Sequence, residues 1–179
     1  DKHDLFADIP EIPISDYLGV TLNYNLPLAS EINTEKSRSE MLISPILLEV
    51  RRLVHDQISL FSGREFNVES EQGLNGTCDF LIGISDSQLV ITAPVVVIVE
   101  AKKEDIIGGL GQCIAAMVGE QRFNQQEQSP RETIYGVVTS GTAWRFLKLE
   151  QTTAFVDRVE YYINQVGKIL GILTSTVNW

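Results

Sequence analysis

The chain has very little cysteine and no long hydrophobic run. Only Cys78 and Cys113 are present among 179 residues, and they lack the CxxC spacing of zinc and redox sites. Two cysteines cannot build a disulfide framework, so we expect a reducing, cytoplasmic environment. No apolar run is long enough to span a bilayer, and the N-terminus lacks the basic-then-apolar pattern of a secretory signal. We therefore expect one soluble domain over residues 1–179 and no membrane partner.

Positive charge is also scarce. Lysine and arginine number 14 against 24 acidic residues, which gives a net charge of −10. Because general DNA-binding proteins usually carry a basic surface, contact with nucleic acid would need a local basic patch, a metal ion or a partner protein that supplies specificity. The glycines of residues 73–76 are not followed by the GK[ST] of a phosphate-binding loop, so a turn is expected there. A small-molecule hydrolase is disfavoured because nucleophile-elbow and zinc spacings are absent.

The most informative segment is a β-branched run that ends in charged residues. Residues 95–99 read Val-Val-Val-Ile-Val, a pattern typical of a strand buried on both faces. Glu100 and Lys102 follow two positions apart and therefore share one face of the strand. Asp79 lies near the start of the preceding predicted strand. Burying lone charges is costly, so charges at strand ends predict a functional site.

These three residues suit the metal-assisted hydrolysis of a phosphodiester. Mg²⁺ or Mn²⁺ prefers oxygen ligands and keeps several waters, so Asp79 and Glu100 on adjacent strands can hold one ion. The main-chain carbonyl of Ala101 offers a further ligand. Lys102 can orient or deprotonate the attacking water and stabilise developing charge. The alternative is a purely structural ion pair of Lys102 with Asp79 or Glu100.

The remaining pattern predicts an α/β fold with a mixed central sheet flanked by helices. Residues 1–35 contain Pro10, Pro13 and Pro27 and predict a partly ordered N-terminal arm, with at most a short helix. Ser37 and Glu40 have capping-box spacing and predict that a helix begins there. The expected elements of the 38–150 core and beyond are a helix at 38–61, strands at 65–71, 76–84 and 89–102, a helix at 105–126, strands at 134–138 and 144–149, an edge strand near 153–156 and a C-terminal helix at 158–175.

Gln112 is the polar member of a small-residue stripe on the predicted 105–126 helix. Gly108, Ala115 and Gly119 share its face at spacings of three and four. Small residues allow a helix to approach a sheet closely, so we expect Gln112 to point toward the strand end that carries Glu100. The alternative is that Gln112 caps a carbonyl of the sheet.

Glu49 interrupts an otherwise apolar face of the first predicted helix. That face runs through Leu42, Ile46 and Leu53. A carboxylate on a buried face requires a metal ion or a hydrogen-bonding partner. Glu49 is therefore a candidate metal ligand, and the alternative is an ion pair with Arg52 at the edge of that face.

Taken in order, these features resemble the PD-(D/E)XK restriction-endonuclease-like superfamily. A leading helix with an acid precedes the Asp79 strand, the Glu100-Ala101-Lys102 strand and the helix with Gln112, over roughly residues 38–150. Residues 134–149, with residues 141–144 between two strands, are similar to the closing hairpin of the type I restriction-subunit N-terminal branch. Cys78 replaces the proline that is common before the first acid, which removes no ligand.

The resemblance implies a restriction-endonuclease-like αβββαβ core and a Mg²⁺-dependent or Mn²⁺-dependent deoxyribonuclease. Asp79 and Glu100 would hold the metal with Ala101 and Glu49 as additional ligands, Lys102 would act on the attacking water, and Gln112 would line the site. The alternative is a catalytically silent binding module that keeps the fold. Because duplex cleavage requires two cuts, we expect a homodimer whose interface uses the 158–173 helix or the strand near 153–156.

Overall fold

Six β-strands form one mixed sheet whose spatial order follows the sequence. The computed structural model describes residues 4–69 and 74–178. The strands are β1 (Ser59–Glu69), β2 (Leu74–Gly83), β3 (Val95–Ala101), β4 (Ile134–Thr139), β5 (Ala143–Glu150) and β6 (Thr153–Tyr162). Only β3 and β4 are parallel; the other four neighbouring pairs are antiparallel. The expected α/β class and mixed sheet are confirmed, and the strands that carry Asp79 and Glu100 are adjacent, as expected, with an antiparallel pairing. Of the turn predicted at 73–76, Gly73 lies outside the described part, and the prediction is wrong for residues 74–76, which belong to β2.

Helices cover both faces of this sheet. They are α1 (Asp16–Ile32), α2 (Glu35–Arg38), a π-helical turn (Ser39–Ile43), α3 (Ser44–Leu53), α4 (Ile106–Gln126), a 3-10 turn (Ile163–Gln165) and α5 (Val166–Val177). Side chains of α1, α3 and α5 fill the core on one face, and those of α4 fill the core on the other. Within the described ranges, no helix has both the length and the apolar character needed to cross a membrane.

Strand β3 lies at the centre of the structure, as its composition predicts. All seven of its residues are buried. Val97 and Val99 pack into the core beneath α1, α3 and α5, whereas Ile98 packs into the core beneath α4. Glu100 follows Ile98 by two positions and therefore faces α4. The α4 side of the sheet is thus where the predicted site lies.

The N-terminal arm expected over residues 1–35 is wrong, because α1 forms there. Ser15 caps the helix by accepting a hydrogen bond from the Leu18 N–H, and Asn33 ends it in the left-handed conformation at φ 50°. Leu18 and Leu22 are buried in the core. Pro27 lies inside the helix, where its missing N–H removes one backbone hydrogen bond that the packed helix tolerates.

The first predicted helix begins earlier and ends earlier than expected. Thr34 is the cap, accepting from the Ser37 N–H while the Ser37 hydroxyl bonds back, so the capping box lies three residues before the predicted one. The helical segment continues through a π-turn and ends at Leu53. His55 and Asp56 then adopt positive φ angles that no helix can accommodate. Residues 59–61 therefore belong to β1.

The C-terminal helix begins at Val166, not at residue 158. Strand β6 continues to Tyr162, so Val159 lies in a strand. The apolar residues of α5, including Ile169, Leu170 and Leu173, are buried in the chain's own core. This helix consequently offers no free apolar face for the dimer interface that we expected at 158–173.

Helix α4 occupies almost the range predicted, but a different face of it meets the sheet. Gly108, Gln112 and Ala115 are exposed. Gly109 and Cys113 face inward instead, and a Cβ atom at Gly109 would lie only 2.6 Å from Val138 Cγ1. The residues that face the sheet, Gly109 and Cys113, lie one position later in the chain than the expected Gly108 and Gln112. Gln112 therefore lies at the rim of the α4–sheet interface.

Candidate functional site

Asp79 and Glu100 lie on the same face of the sheet, at the point where the pairing of β2 with β3 ends. The last paired residues of β2 and β3 are Phe80 and Val99, and one more step in this register sets Asp79 opposite Glu100. Opposite residues of an antiparallel pair share a face. The Asp79 Oδ2 atom accepts a hydrogen bond of 2.7 Å from the backbone N–H of Ala101. That bond fixes the aspartate beside Glu100.

Glu100 is a buried carboxylate that is only half satisfied. Its side chain is 2% exposed, and its Oε1 atom accepts a hydrogen bond of 2.8 Å from Lys102 Nζ. The buried Oε2 atom has no hydrogen-bond partner among the described residues. Burial raises the pKa of Glu100, the Lys102 bond opposes that rise, and the charge of Asp79 adds to it. Glu100 thus has a free oxygen where a cation would be stabilised.

Lys102 joins the acidic pair to helix α4. Its Nζ atom donates to Glu100 and also to Gln112 Oε1 at 3.1 Å. Burial alone would lower the pKa of Lys102, but the hydrogen bond and charge of Glu100, with the charges of Glu35 and Asp79, raise it on balance. Lys102 is therefore cationic at neutral pH. Gln112 contacts Lys102 and not a sheet carbonyl, and the ion pair considered as the structural alternative is present between Lys102 and Glu100.

Glu35 is a third carboxylate that the sequence reasoning missed. It is the first residue of α2, and its charge contributes to the raised pKa values of both Glu100 and Lys102. The helix was expected to begin at residue 38, which left Glu35 in the arm. The signal that identifies it is Thr34-x-x-Ser37, whose reciprocal hydrogen bonds begin the helix directly before Glu35.

A cleft of about 380 Å³ opens beside Asp79. Acidic, basic and hydroxyl side chains alternate around it. Its lining residues are Glu35, Lys36, Ser39, Glu40, Ser44, Ser62, Asp79 and Phe80. The π-helical turn supplies two of them, Ser39 and Glu40, and π-turns often mark functional sites. A polar, open cleft lined by Asp79, which lies opposite Glu100 on the neighbouring strand, can admit a charged substrate.

Glu49 has other partners. Its two oxygens accept hydrogen bonds from the Ser15 N–H at 3.0 Å, the Ser15 hydroxyl at 3.0 Å, and Arg52 at 2.7 and 3.0 Å. The Arg52 hydrogen bond lowers the pKa of Glu49 more than burial raises it. These contacts match the ion-pair alternative, and they tie α3 to the beginning of α1. Glu49 therefore has no oxygen left over for a metal ion.

The donor set around Glu100 fits a hard divalent cation. The side chains of Glu35, Asp79 and Glu100 carry three negative charges in total, and that of Lys102 carries one positive charge. An unpartnered buried carboxylate oxygen beside this excess of negative charge is stabilised by a bound cation. Across residues 4–69 and 74–178, no three His, Cys, Asp or Glu side chains already converge as a metal-binding group. The two central carboxylates would therefore hold the ion together with water or with substrate oxygens, as Mg²⁺ commonly does.

Comparisons with protein families, with characterised proteins and with solved structures found no match to the chain.

Proposed function

We propose that this chain is a metal-dependent nuclease of the restriction-endonuclease-like superfamily that hydrolyses DNA phosphodiester bonds. The observation that carries the proposal is the half-satisfied Glu100 carboxylate, buried between Asp79 and Lys102 where the pairing of β2 with β3 ends. A structural ion pair alone would not account for the unpartnered Oε2 atom or for the excess negative charge.

Each residue has a role that its contacts support. Asp79 and Glu100 would hold Mg²⁺ or Mn²⁺, with Glu35 adding negative charge from α2, and a bound ion would polarise the phosphate and activate a water. Lys102 brings a cation within reach of the attacked phosphate. Gln112 holds the Lys102 ammonium from the α4 side at 3.1 Å. The Ala101 N–H fixes the Asp79 carboxylate.

The distribution of positive charge suggests where DNA would lie. Several basic side chains are engaged elsewhere: Arg51 with Asp56, Arg145 with Glu160, and Lys148 with Glu150. Near the site, Lys36 lines the cleft with 82% of its side chain exposed, and Lys103 is exposed directly after Lys102. These lysines would provide the local contacts to phosphate, while the net charge of −10 keeps overall affinity for DNA low.

Metal binding and cleavage test the proposal together. Calorimetric titration with Mn²⁺ should show binding to the wild type and loss of binding in Asp79→Asn and Glu100→Gln. Lys102→Met should keep metal binding but lose plasmid nicking, because lysine acts on the phosphate and is no ligand. EDTA should abolish nicking. Asp86→Asn, an exposed acid in the β2–β3 loop, is the matched control and should behave as wild type.

Glu49→Gln separates the two interpretations of Glu49. We expect it to leave Mn²⁺ affinity unchanged while lowering the free energy of unfolding, because it weakens the bonds to Arg52 and Ser15. The second candidate function is a catalytically silent module with this fold, favoured by the Lys102–Glu100 ion pair and the acidic surface. Wild-type protein that binds no Mn²⁺, or equal nicking by wild type and Glu100→Gln, would reject the nuclease and leave that module.

A further inference from the structure

Helix α1 carries an apolar face that nothing in the described chain covers. Tyr17, Val20, Tyr24 and Leu28 follow one another at spacings of three and four, so they form one stripe along the helix. Their exposed fractions are 78%, 70%, 77% and 41%. The opposite side of the same helix, with Leu18 and Leu22, is already buried in the core, so the stripe plays no part in the fold of this domain.

The stripe continues onto α3. Tyr17 of α1 and Leu48 of α3 line one shallow groove, together with Thr21, Pro45 and the ion-paired side chains of Glu49 and Arg52. Leu48 is 55% exposed. The apolar face, defined as Tyr17, Val20, Tyr24, Leu28 and Leu48, is therefore continuous across two helices. Large contiguous apolar surfaces on a folded chain mark interaction sites.

The size of the apolar face suits a dimer. Large aromatic side chains bury roughly 150–250 Å² each, so the two tyrosines and three aliphatic residues together offer about 500 Å² per chain. A stable interface buries about 800 Å² per partner, of which about 65% is apolar in homodimers. The apolar face thus supplies about the apolar area that one side of such an interface needs.

The distribution of charge along α1 favours a second copy of the chain, and not a basic protein, as the partner that covers the apolar face. Residues 17–30 of α1 carry no charge, and the charged residues of the helix are Asp16 and Glu31 at its two ends. A basic partner would find no acid along the stripe with which to pair. Two chains of net charge −10 repel one another elsewhere, and an uncharged surface is where they can approach.

We propose that the chain forms a two-fold symmetric homodimer through this apolar face, with α1 of one copy packed on α1 of the other. Tyr17 and Tyr24 are its anchors, since exposed tyrosines that become buried contribute much of the binding energy in such interfaces. The interface is independent of the proposed nuclease activity and differs from the C-terminal surface that the sequence favoured. Helix α1 leads into α2, so the interface adjoins Glu35.

Light scattering and analytical ultracentrifugation test the dimer. We expect the wild type to have the mass of two chains at micromolar concentration, and its association to tighten as salt rises, because salt screens the repulsion between two acidic chains. Tyr17→Glu/Tyr24→Glu should weaken association by about a hundredfold or more, since two anchors are lost. The matched control, Leu89→Glu/Val90→Glu, adds the same charge on an exposed loop and should remain dimeric.

Several outcomes would overturn the interface. A wild type that stays monomeric at hundreds of micromolar would reject the homodimer. A dimer that Tyr17→Glu/Tyr24→Glu leaves intact, or that the control pair disrupts equally, would reject this surface. Because both tyrosines are exposed on the monomer, the variant should still unfold cooperatively, with a melting temperature lowered only by the stabilisation that association gives the dimer. If the glutamate pair unfolds, Tyr17→Ser/Tyr24→Ser decides the matter, since it removes apolar area without adding charge.

Discussion

Gly109 of helix α4 leaves the space in which the Lys102 side chain lies. A Cβ atom at this position would be 3.0 Å from Lys102 Cγ, 3.2 Å from Lys102 Cε and 2.6 Å from Val138 Cγ1. The lysine stem therefore runs directly beneath the helix before its ammonium reaches Glu100. The absence of a side chain at 109 thus contributes to the position of the ammonium.

Gly109→Ala should displace Lys102 and lower the rate of nicking by about tenfold or more, since small misplacements of a catalytic group are costly. Mn²⁺ affinity should change little, because the carboxylates remain in place. Gly111→Ala is the matched control: nothing lies within 4 Å of a Cβ atom there, and alanine should stabilise the helix by up to about 1 kcal/mol. Equal rates in the two variants would contradict the positioning role of Gly109.

Glu120 is a second residue whose environment makes a quantitative prediction. It is 3% exposed on the inner side of α4, and burial raises its pKa from an ordinary value of 4.5 to about 7. The folded chain therefore binds more protons than the unfolded chain between these two values. Its contribution to stability is full below pH 4.5 and is lost as the pH rises toward 7.

Glu120→Gln should remove this pH dependence. At a pH of about 8 the variant should unfold with a free energy higher by up to about 3 kcal/mol, while at a pH of about 4 the difference should be small. Urea denaturation at both values measures the effect. Glu127→Gln, an exposed acid at the end of the same helix, should change stability little at either pH. A variant less stable than wild type at the higher pH would show that ionised Glu120 is stabilising.

Sequence reasoning found some residues of the candidate site and missed others for physical reasons. Glu100 and Lys102 could be predicted because a fully apolar strand ends in two charges on one face. The role of Glu35 could not be predicted, because it depends on a helix that begins after Thr34. A second capping pattern, Ser37 with Glu40, follows three residues later and indicates a different helix start. The Ser15 partner of Glu49 could not be predicted because Ser15 is distant in sequence, whereas the Arg52 partner was one of the expected alternatives.

At the scale of elements, Arg38 ties the acid-bearing helix to the sheet. Its guanidinium donates to Asn33 Oδ1 at 3.1 and 3.2 Å, to the Ser140 carbonyl at 3.0 Å and to Thr142 Oγ1 at 3.2 Å. Asn33 ends α1, and residues 140–142 form the β4–β5 turn. One side chain therefore holds α1, α2 and the sheet in a fixed arrangement.

Arg38→Met should lower the free energy of unfolding by about 1.5–3 kcal/mol, the range for hydrogen bonds that involve a charged group. Chemical denaturation measures it. Lys36→Met, on the same helix, is the matched control: that lysine is 82% exposed and its nearest acid oxygen, on Glu40, is 3.9 Å away. We expect the control to lie within about 0.5 kcal/mol of wild type. Equal losses in both variants would show that Arg38 stabilises nothing beyond its own helix.

Element boundaries were predictable where one pattern dominates and failed where two patterns overlap. Helix α4 and strands β4 and β5 have clear periodicity between turn signals, and their predicted ranges are nearly correct, whereas β3 begins at Val95 and not at residue 89 as predicted. Helix α1 was missed because it contains Pro27 and is apolar on two sides, which obscures the helical period. The boundary between β6 and α5 was not predicted, because Val159 and Tyr162 are three residues apart and fit the spacing of a helix. In the structure both residues belong to β6, which ends at Tyr162.

At the scale of the whole molecule, the two ends of the chain share one core. Phe6, Leu18 and Leu22 are buried with Ile169 and Leu173 in the same cluster. Lys168 of α5 also donates hydrogen bonds to the carbonyls of Phe6, Ala7 and Ile9. The fold class could be predicted because each strand has its own local residue pattern. The packing of the first segments of the chain against α5 could not be predicted, because contacts between distant segments leave no local pattern.

Removal of residues 1–34 should therefore abolish cooperative folding. Phe6, Leu18 and Leu22 each contribute roughly 1.5–3 kcal/mol through burial, so their combined loss of about 4.5–9 kcal/mol is comparable to the whole stability of a typical domain. We expect the truncated chain to lose its near-ultraviolet dichroism and its sharp urea transition. Leu18→Ala should cost about 2–5 kcal/mol, whereas Asn23→Ala, on the exposed side of α1, should cost almost nothing. A truncated chain with the wild-type urea midpoint would mean that α1 is an appendage to the core, because a segment that contributes buried side chains cannot be removed without loss of stability.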